Sequence, residues 1–273
     1  MIIVYERKHL VSTSVLSSEN SLLEIFLNEQ YFKKRTKDFL PGPVLQKKVC
    51  YNTTLERGKL RIGTEAAWPP VQRRRLTMKL TVEKAKELLA IAREADPRHE
   101  PWIRHSICVG DTAAVIAEAL GLPDPEYARA LGYVHDIGKY KDVMNVEYHD
   151  IKGFEYLKDE VGIDEQDAFI CLTHSYVGGD YTAQAGGIPK AHPLRCEVLQ
   201  AHKYNRYEEI INLCDLMCIF RTMTMEKRLI DLLTRKGIHE NSHHHLMKSL
   251  ELKKMFDELL GHNLYDLFPD IVI

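Results

Sequence analysis

The stretch Tyr133-Val134-His135-Asp136-Ile137-Gly138-Lys139-Tyr140 sets an imidazole, a carboxylate and an ammonium close together at the end of an apolar run. Neutral imidazole and carboxylate are the ligand types that a divalent cation takes from helices facing one pocket. Adjacent residues on a helix point about 100° apart, so a cation lying over that turn can be gripped by both His135 and Asp136. His105 opens the segment "HSICVGDTAAVIAEAL", with apolar Ile103, Ile107, Ala114, Ile116, Ala117 and Leu120 along it. Asp215 is a lone carboxylate in "EEIINLCDLMCIF". Burying it ionised is costly unless something positive neutralises it, and a metal would. A helix cap or a salt bridge is the plainer account, but Asp215 has apolar residues on both sides.

Such residues need helices to hold them, and the chain from Met78 onward reads as helical throughout. Thr81 is a natural N-cap with Lys84 at N3, followed by apolar Ala85, Leu88, Leu89, Ile91 and Ala92 at helical spacing. The spacing predicts helices over 81–95, 101–120, 125–137, 148–161, 165–175, 192–202, 206–234 (broken near Thr222) and 243–260. Gly121, Gly138, Gly162 and Gly237 fall where helix ends are expected, Gly138 as the residue just past the helix that carries His135 and Asp136. No run of alternating β-branched residues suggests a sheet in this region.

Residues 1–77 read differently. Their periodicity is weak apart from an amphipathic stretch over 18–32, and breakers such as Pro41-Gly42-Pro43 and Trp68-Pro69-Pro70 are frequent. They carry fourteen Lys/Arg against seven Asp/Glu, whereas residues 78–273 carry twenty-three against thirty-two. The expected organisation is a basic extension over 1–77, irregular or outside the core fold, and one helical domain over 78–273. The basic run Arg73-Arg74-Arg75 lacks interleaved aromatics, so no nucleic-acid interface is expected. A composition of 45% hydrophobic and 28% charged residues suits a globular chain with a sizeable core. Six cysteines without a CxxC pair read as reduced thiols, and no run is long enough to span a membrane. These features predict a soluble, cytoplasmic protein.

The order His105, His135-Asp136, Asp215 resembles the H…HD…D signature of the HD superfamily of metal-dependent phosphohydrolases, and "HDIGK" is a common wording of its central motif. The resemblance spans roughly residues 78–230. It implies an all-α, HD-domain helical bundle with a poorly structured N-terminal extension, in which His105, His135, Asp136 and Asp215 hold a metal. His149 in "HDIKGFEYL" and His174 in "CLTHSYVGG" look like the branch that binds two metals. That branch includes the symmetrical diadenosine tetraphosphate hydrolases and the HD-GYP cyclic-dinucleotide phosphodiesterases. By that resemblance His149 and His174 complete the second ion's site, with Asp136 between the two. The stretch "SYVGGDYTAQAGGIP" after His174 departs from the HD-GYP wording. Arg221, six residues after Asp215, falls where the diadenosine tetraphosphate hydrolase group has an arginine, although the intervening "LMCIF" is more apolar than that group's wording.

The chemistry this implies is hydrolysis of a phosphate ester or phosphoanhydride of a nucleotide-type substrate by a metal-activated water. Asp136 and Lys139 are the expected catalytic residues, and Lys139 and Arg221 the expected phosphate binders. Two divalent ions are expected, iron or manganese first, with magnesium, nickel, cobalt or zinc as alternatives. The same ligand pattern also resembles the HD-type di-iron oxygenases, and a non-catalytic nucleotide-binding module ranks third. The expected partner is a small phosphorylated substrate, with no membrane and no nucleic acid; a homodimer is left open. His202, His243-His244-His245, Cys214 and Cys218 read as lying outside the site.

Overall fold

The computed structural model describes residues 52–56, 59–63, 77–141 and 146–273. The chain divides into two units, Met1–Val71 and Gln72–Ile273. In the first, strands β1 (Asn52–Glu56) and β2 (Lys59–Gly63) pair antiparallel, with Asn52 opposite Gly63 and Glu56 opposite Lys59. Two residues ending in Gly58 separate them in sequence, a spacing typical of hairpins. The sequence reading had placed no element there. The amphipathic stretch 18–32 and the run Arg73-Arg74-Arg75 lie outside the described residues.

Among its described residues the second unit is all-α apart from isolated bridges. Helix α1 (Val82–Ala95) starts where Thr81 caps it, the side chain accepting from the Lys84 backbone N–H at 3.2 Å. Its buried face is Ala85, Leu88, Leu89 and Ala92 as predicted, but Ile91 points to solvent. Helix α2 (Glu100–Ala119) and helix α3 (Pro125–Val134, capped by Asp124) run antiparallel. Their crossing is set by two glycines, because a Cβ on Gly132 would lie 2.4 Å from the Gly110 Cα. No side chain fits there, so the two backbones touch.

The helix predicted over 125–137 ends at Val134, and a 3-10 turn, Ile137–Tyr140, follows. Gly138 is not in the left-handed conformation expected of a residue past a helix end. It is glycine for a different reason: a Cβ there would meet the His149 carbonyl oxygen at 1.8 Å and the Gly153 nitrogen at 2.6 Å. Gly121, Gly162 and Gly237 do have positive φ at helix ends, as expected. Helix α4 (His149–Glu155) packs on that turn and widens into a π turn over Tyr156–Val161.

Helices α5 (Glu165–Ala168) and α6 (Ile170–Thr173) replace the single helix predicted over 165–175, tightening at Phe169, whose carbonyl accepts from Leu172 N–H at 2.8 Å. Helix α7 spans Pro193–Ala201, and α8 (Arg206–Asp215) opens on a capping box of Asn205 and Glu208. The predicted break near Thr222 is a turn bridged between Cys218 and Thr222, leading into α9 (Met225–Lys236) and then α10 (Ser242–Leu260). Among the described residues no helix is long and apolar enough to cross a membrane.

Candidate metal centre

Helices α2, α3, α4, α6 and α8 each bring one end or one face to a common point. His105 comes from α2, His135 and Asp136 from the end of α3, His149 from the start of α4, His174 from just past α6, and Asp215 from the end of α8. His105, His135, Asp136 and His174 are buried; His149 and Asp215 are partly exposed. Polar side chains survive at such depth only when they satisfy one another or hold a cation.

Asp136 organises the cluster through both oxygens. Its Oδ2 faces His135 Nε2 at 3.6 Å and His105 Nε2 at 3.8 Å. Its Oδ1 faces His149 Nε2 at 3.3 Å and His174 Nε2 at 3.5 Å. Within each imidazole pair the Nε2 atoms lie 3.3 Å apart (His105, His135) and 3.1 Å apart (His149, His174). Asp215 Oδ1 closes the first side at 3.0 Å from His105 Nε2. Three overlapping trios have ligand atoms within 4.8 Å of one another: His105–His135–Asp136, His135–His174–Asp215 and Asp136–His149–His174.

Backbone carbonyls orient two of the rings. His135 Nδ1–H donates to Gly132 O at 2.7 Å, and His174 Nδ1–H donates to Cys171 O at 2.9 Å. In the neutral ring this turns the Nε2 lone pair inward, the arrangement metal-binding histidines use. Two inward lone pairs at such distances repel unless a proton or cation sits between them. The donor set therefore fits a divalent cation.

The electrostatics agree. Burial pushes His135 down to about 3 and His149 down to about 4, so both rings are neutral at pH 7. Burial would raise Asp136, but the Lys139 charge and a His174 hydrogen bond outweigh it and hold Asp136 well below the usual carboxylate range. Asp215 is likewise depressed: burial opposes, and the His105 hydrogen bond leads the interactions that outweigh it. His174 is the exception, raised because its Asp136 hydrogen bond and that charge outweigh burial. Lys139 Nζ contacts Asp136 Oδ2 directly, which puts its ammonium at the mouth of the cluster.

Arg221 is placed elsewhere. It lines a cleft with Arg104 and Phe220, and none of the six clustered residues lines that cleft. His202 pairs with Glu208 at 2.7 Å and His244 with Asp180 at 2.7 Å, while His245 is buried in α10, so none of them joins the cluster. Cys214 and Cys218 are core residues, as read from the sequence.

Three supporting groups escaped the sequence reading. Asn212, one turn before Asp215, donates from Nδ2 to Thr173 O at 3.0 Å and His174 O at 2.8 Å, tying α8 to the His174 turn. Asp150, beside His149, takes a two-pronged grip from buried Arg195, Nε to Oδ2 at 2.6 Å and Nη2 to Oδ1 at 2.8 Å. Lys236 of α9 feels the charges of Asp215, Asp136 and Lys139, and its Nζ reaches Ala185 O at 3.4 Å. Asn212 had a signal, being polar in the same apolar run as Asp215. Arg195 and Lys236 had none.

Residues 102–217 match the HD domain family. Those 116 of the chain's 273 residues are similar to HD domains, which are generally metal-dependent phosphohydrolases. The match includes all six clustered residues and stops before Arg221 and Lys236. No curated protein and no solved structure matches the chain.

Proposed function

We propose that the chain is a metal-dependent phosphohydrolase that holds two divalent ions and cleaves a phosphate ester or phosphoanhydride in a small nucleotide-type substrate. One observation carries this reading: the two oxygens of Asp136 face two separate imidazole pairs. His105, His135, Asp136 and Asp215 would hold one ion, and His149 and His174 with Asp136 would hold the other. The ligand set of imidazole and carboxylate suits iron or manganese. When bound, the ions supply a nucleophilic water at neutral pH and draw charge from a phosphoryl oxygen.

The chain's own residues do the rest. His135 and His174, fixed through Nδ1, keep their lone pairs aimed inward. Asp136 stays ionised and is shared by both halves. Lys139, which neutralises Asp136 Oδ2, is assigned to bind a phosphoryl oxygen as a point charge once the carboxylate is otherwise engaged.

The test is elemental analysis of untagged protein purified without chelators, joined to chromatography of the hydrolysis products of dinucleoside polyphosphates, cyclic dinucleotides and mononucleotides. Two ions per chain with hydrolysis of at least one of these substrates is the expected result. One ion or none after reconstitution with iron and manganese would overturn the two-ion assignment. Two ions with oxygen consumption and no hydrolysis of any of these substrates would replace hydrolysis by oxygenase chemistry.

A further inference from the structure

We propose that the open cleft beside the start of α2 binds a nucleoside monophosphate unit, its phosphate between Arg104 and Arg221 and its base against Phe220. The choice of a nucleotide rests on the hydrolase reading; the site itself rests on the cleft.

The cleft measures about 490 Å³, inside the range of about 300–1,000 Å³ of small-molecule sites. Arg104 and Arg221 both line it. Every other arginine of the described residues 77–141 and 146–273 pairs with a carboxylate. These two do not, and both face one cavity. The Arg104 guanidinium rests 4.5 Å from the centre of the Phe220 ring, which ties the helix to the turn that follows α8.

Charge in the cleft favours an anion. Asp111 also lines it, but Arg129 and Tyr133 already engage that carboxylate. Asp270 is then the one other lining carboxylate, set against two guanidinium groups. Guanidinium offers a fork of donors that matches a phosphate with two parallel hydrogen bonds. Phe220 is 47% exposed although large and apolar, and Leu267 and Pro269 continue an apolar wall next to it. An exposed aromatic ring suits a planar base, since every base offers a π-face for stacking. Phosphate and base are thus provided for in one cavity.

The position fits a unit attached to the reacting group. Arg104 adjoins His105, and Arg221 follows Asp215 by six residues, so cleft and metal centre share α2 and the chain leaving α8.

The experiment is equilibrium dialysis of AMP against the full chain with its metals in place. Wild type should bind AMP, and Arg104→Gln and Arg221→Gln should each weaken it at least about tenfold. Both arginines are exposed, so neither change threatens folding. Phe220→Ala should weaken AMP while leaving inorganic phosphate unchanged. AMP bound with wild-type affinity by both arginine variants, or not bound by wild type at all, would overturn the proposal. The source of the unit is read from inhibition of dinucleoside tetraphosphate hydrolysis. Competitive inhibition by AMP marks the substrate's distal half and non-competitive inhibition marks a free effector, and either supports the site. Binding does not depend on turnover, so AMP held here without hydrolysis of any phosphorylated substrate would sink the hydrolase reading alone.

Discussion

Arg195→Met tests whether the architecture around His149 is held by charge. The Arg195 and Asp150 side chains are 0% and 2% exposed, and they meet through two hydrogen bonds of 2.6 and 2.8 Å. Arg195 also donates to Lys190 O at 2.7 Å and to Glu147 O at 3.1 Å. Methionine fills similar volume but leaves Asp150 with only the Ile151 N–H at 2.8 Å and the Tyr176 hydroxyl at 3.3 Å. Removing one partner of a buried pair costs about 3–5 kcal/mol, against a total stability of about 5–15 kcal/mol. For a unit of this size that corresponds to a fall in Tm of roughly 6–20 °C. Burial, which raises Asp150 and is now overcome by Arg195, would then dominate, so the deficit should be largest at neutral pH and shrink as Asp150 takes up a proton. Urea unfolding at pH 7 of wild type, Arg195→Met and the double variant Asp150→Asn/Arg195→Met measures this. The double variant should be more stable than the single one, because it no longer buries an unpaired charge. Because Asp150 adjoins His149, the single variant should also hold fewer ions per chain by elemental analysis. A single variant within about 1 kcal/mol of wild type, or a double variant no better than the single, would refute the argument.

Gly132→Ala should destabilise by about 1–3 kcal/mol or more, because its Cβ meets the Gly110 backbone rather than a movable side chain; denaturant unfolding reads this directly. Lys139→Ala should raise KM for a phosphorylated substrate while leaving metal content intact, and loss of metal in that variant would show its role to be structural. Metal-free protein should lose stability as pH falls from about 6.5 towards 4. His135 and His149 titrate at about 3 and about 4 when folded, so the unfolded chain binds protons first in that window. The raised His174 works in the opposite sense and reduces the loss, so a Tm that rises with falling pH would count against the neutral assignment of the other two. Protons also compete with cations at the folded ligands, so metal affinity measured by dialysis should fall first through the raised His174 and then more steeply as pH approaches 4.

The cluster was legible where residue type and local context conflicted. Asp215 stood out because a carboxylate does not belong in "NLCDLMC", and the same logic applied three residues earlier would have found Asn212. Gly138 was legible in position but not in cause: a chain reading sees a helix end, whereas the structure has a backbone contact with His149. Arg195 was invisible because its partner Asp150 lies 45 residues away, and a lone arginine in "HPLRCEV" looks like any solvated side chain. Helix ends were read well where caps are local, as at Thr81 and Gly162, and poorly where packing decides, as at Val134, where the helix predicted to run to 137 stops. The exposed Ile91 shows the same limit, since periodicity alone gave it a place on the buried face.

The two glycine contacts explain why one aspartate serves two sides. Gly110 against Gly132 fixes α2 on α3, and with it His105 beside His135. Gly138 against the His149 carbonyl fixes the 3-10 turn on α4, and with it His149 opposite Asp136 Oδ1. Asp136 stands between these contacts, four residues after Gly132 and two before Gly138, so each contact aligns one of its oxygens with one imidazole pair. Disturbing the α2–α3 crossing should therefore loosen the His105 side and leave the His149 side in place, and releasing the Asp150–Arg195 pair should do the reverse. Only the loss of Asp136 removes an oxygen from both sides at once.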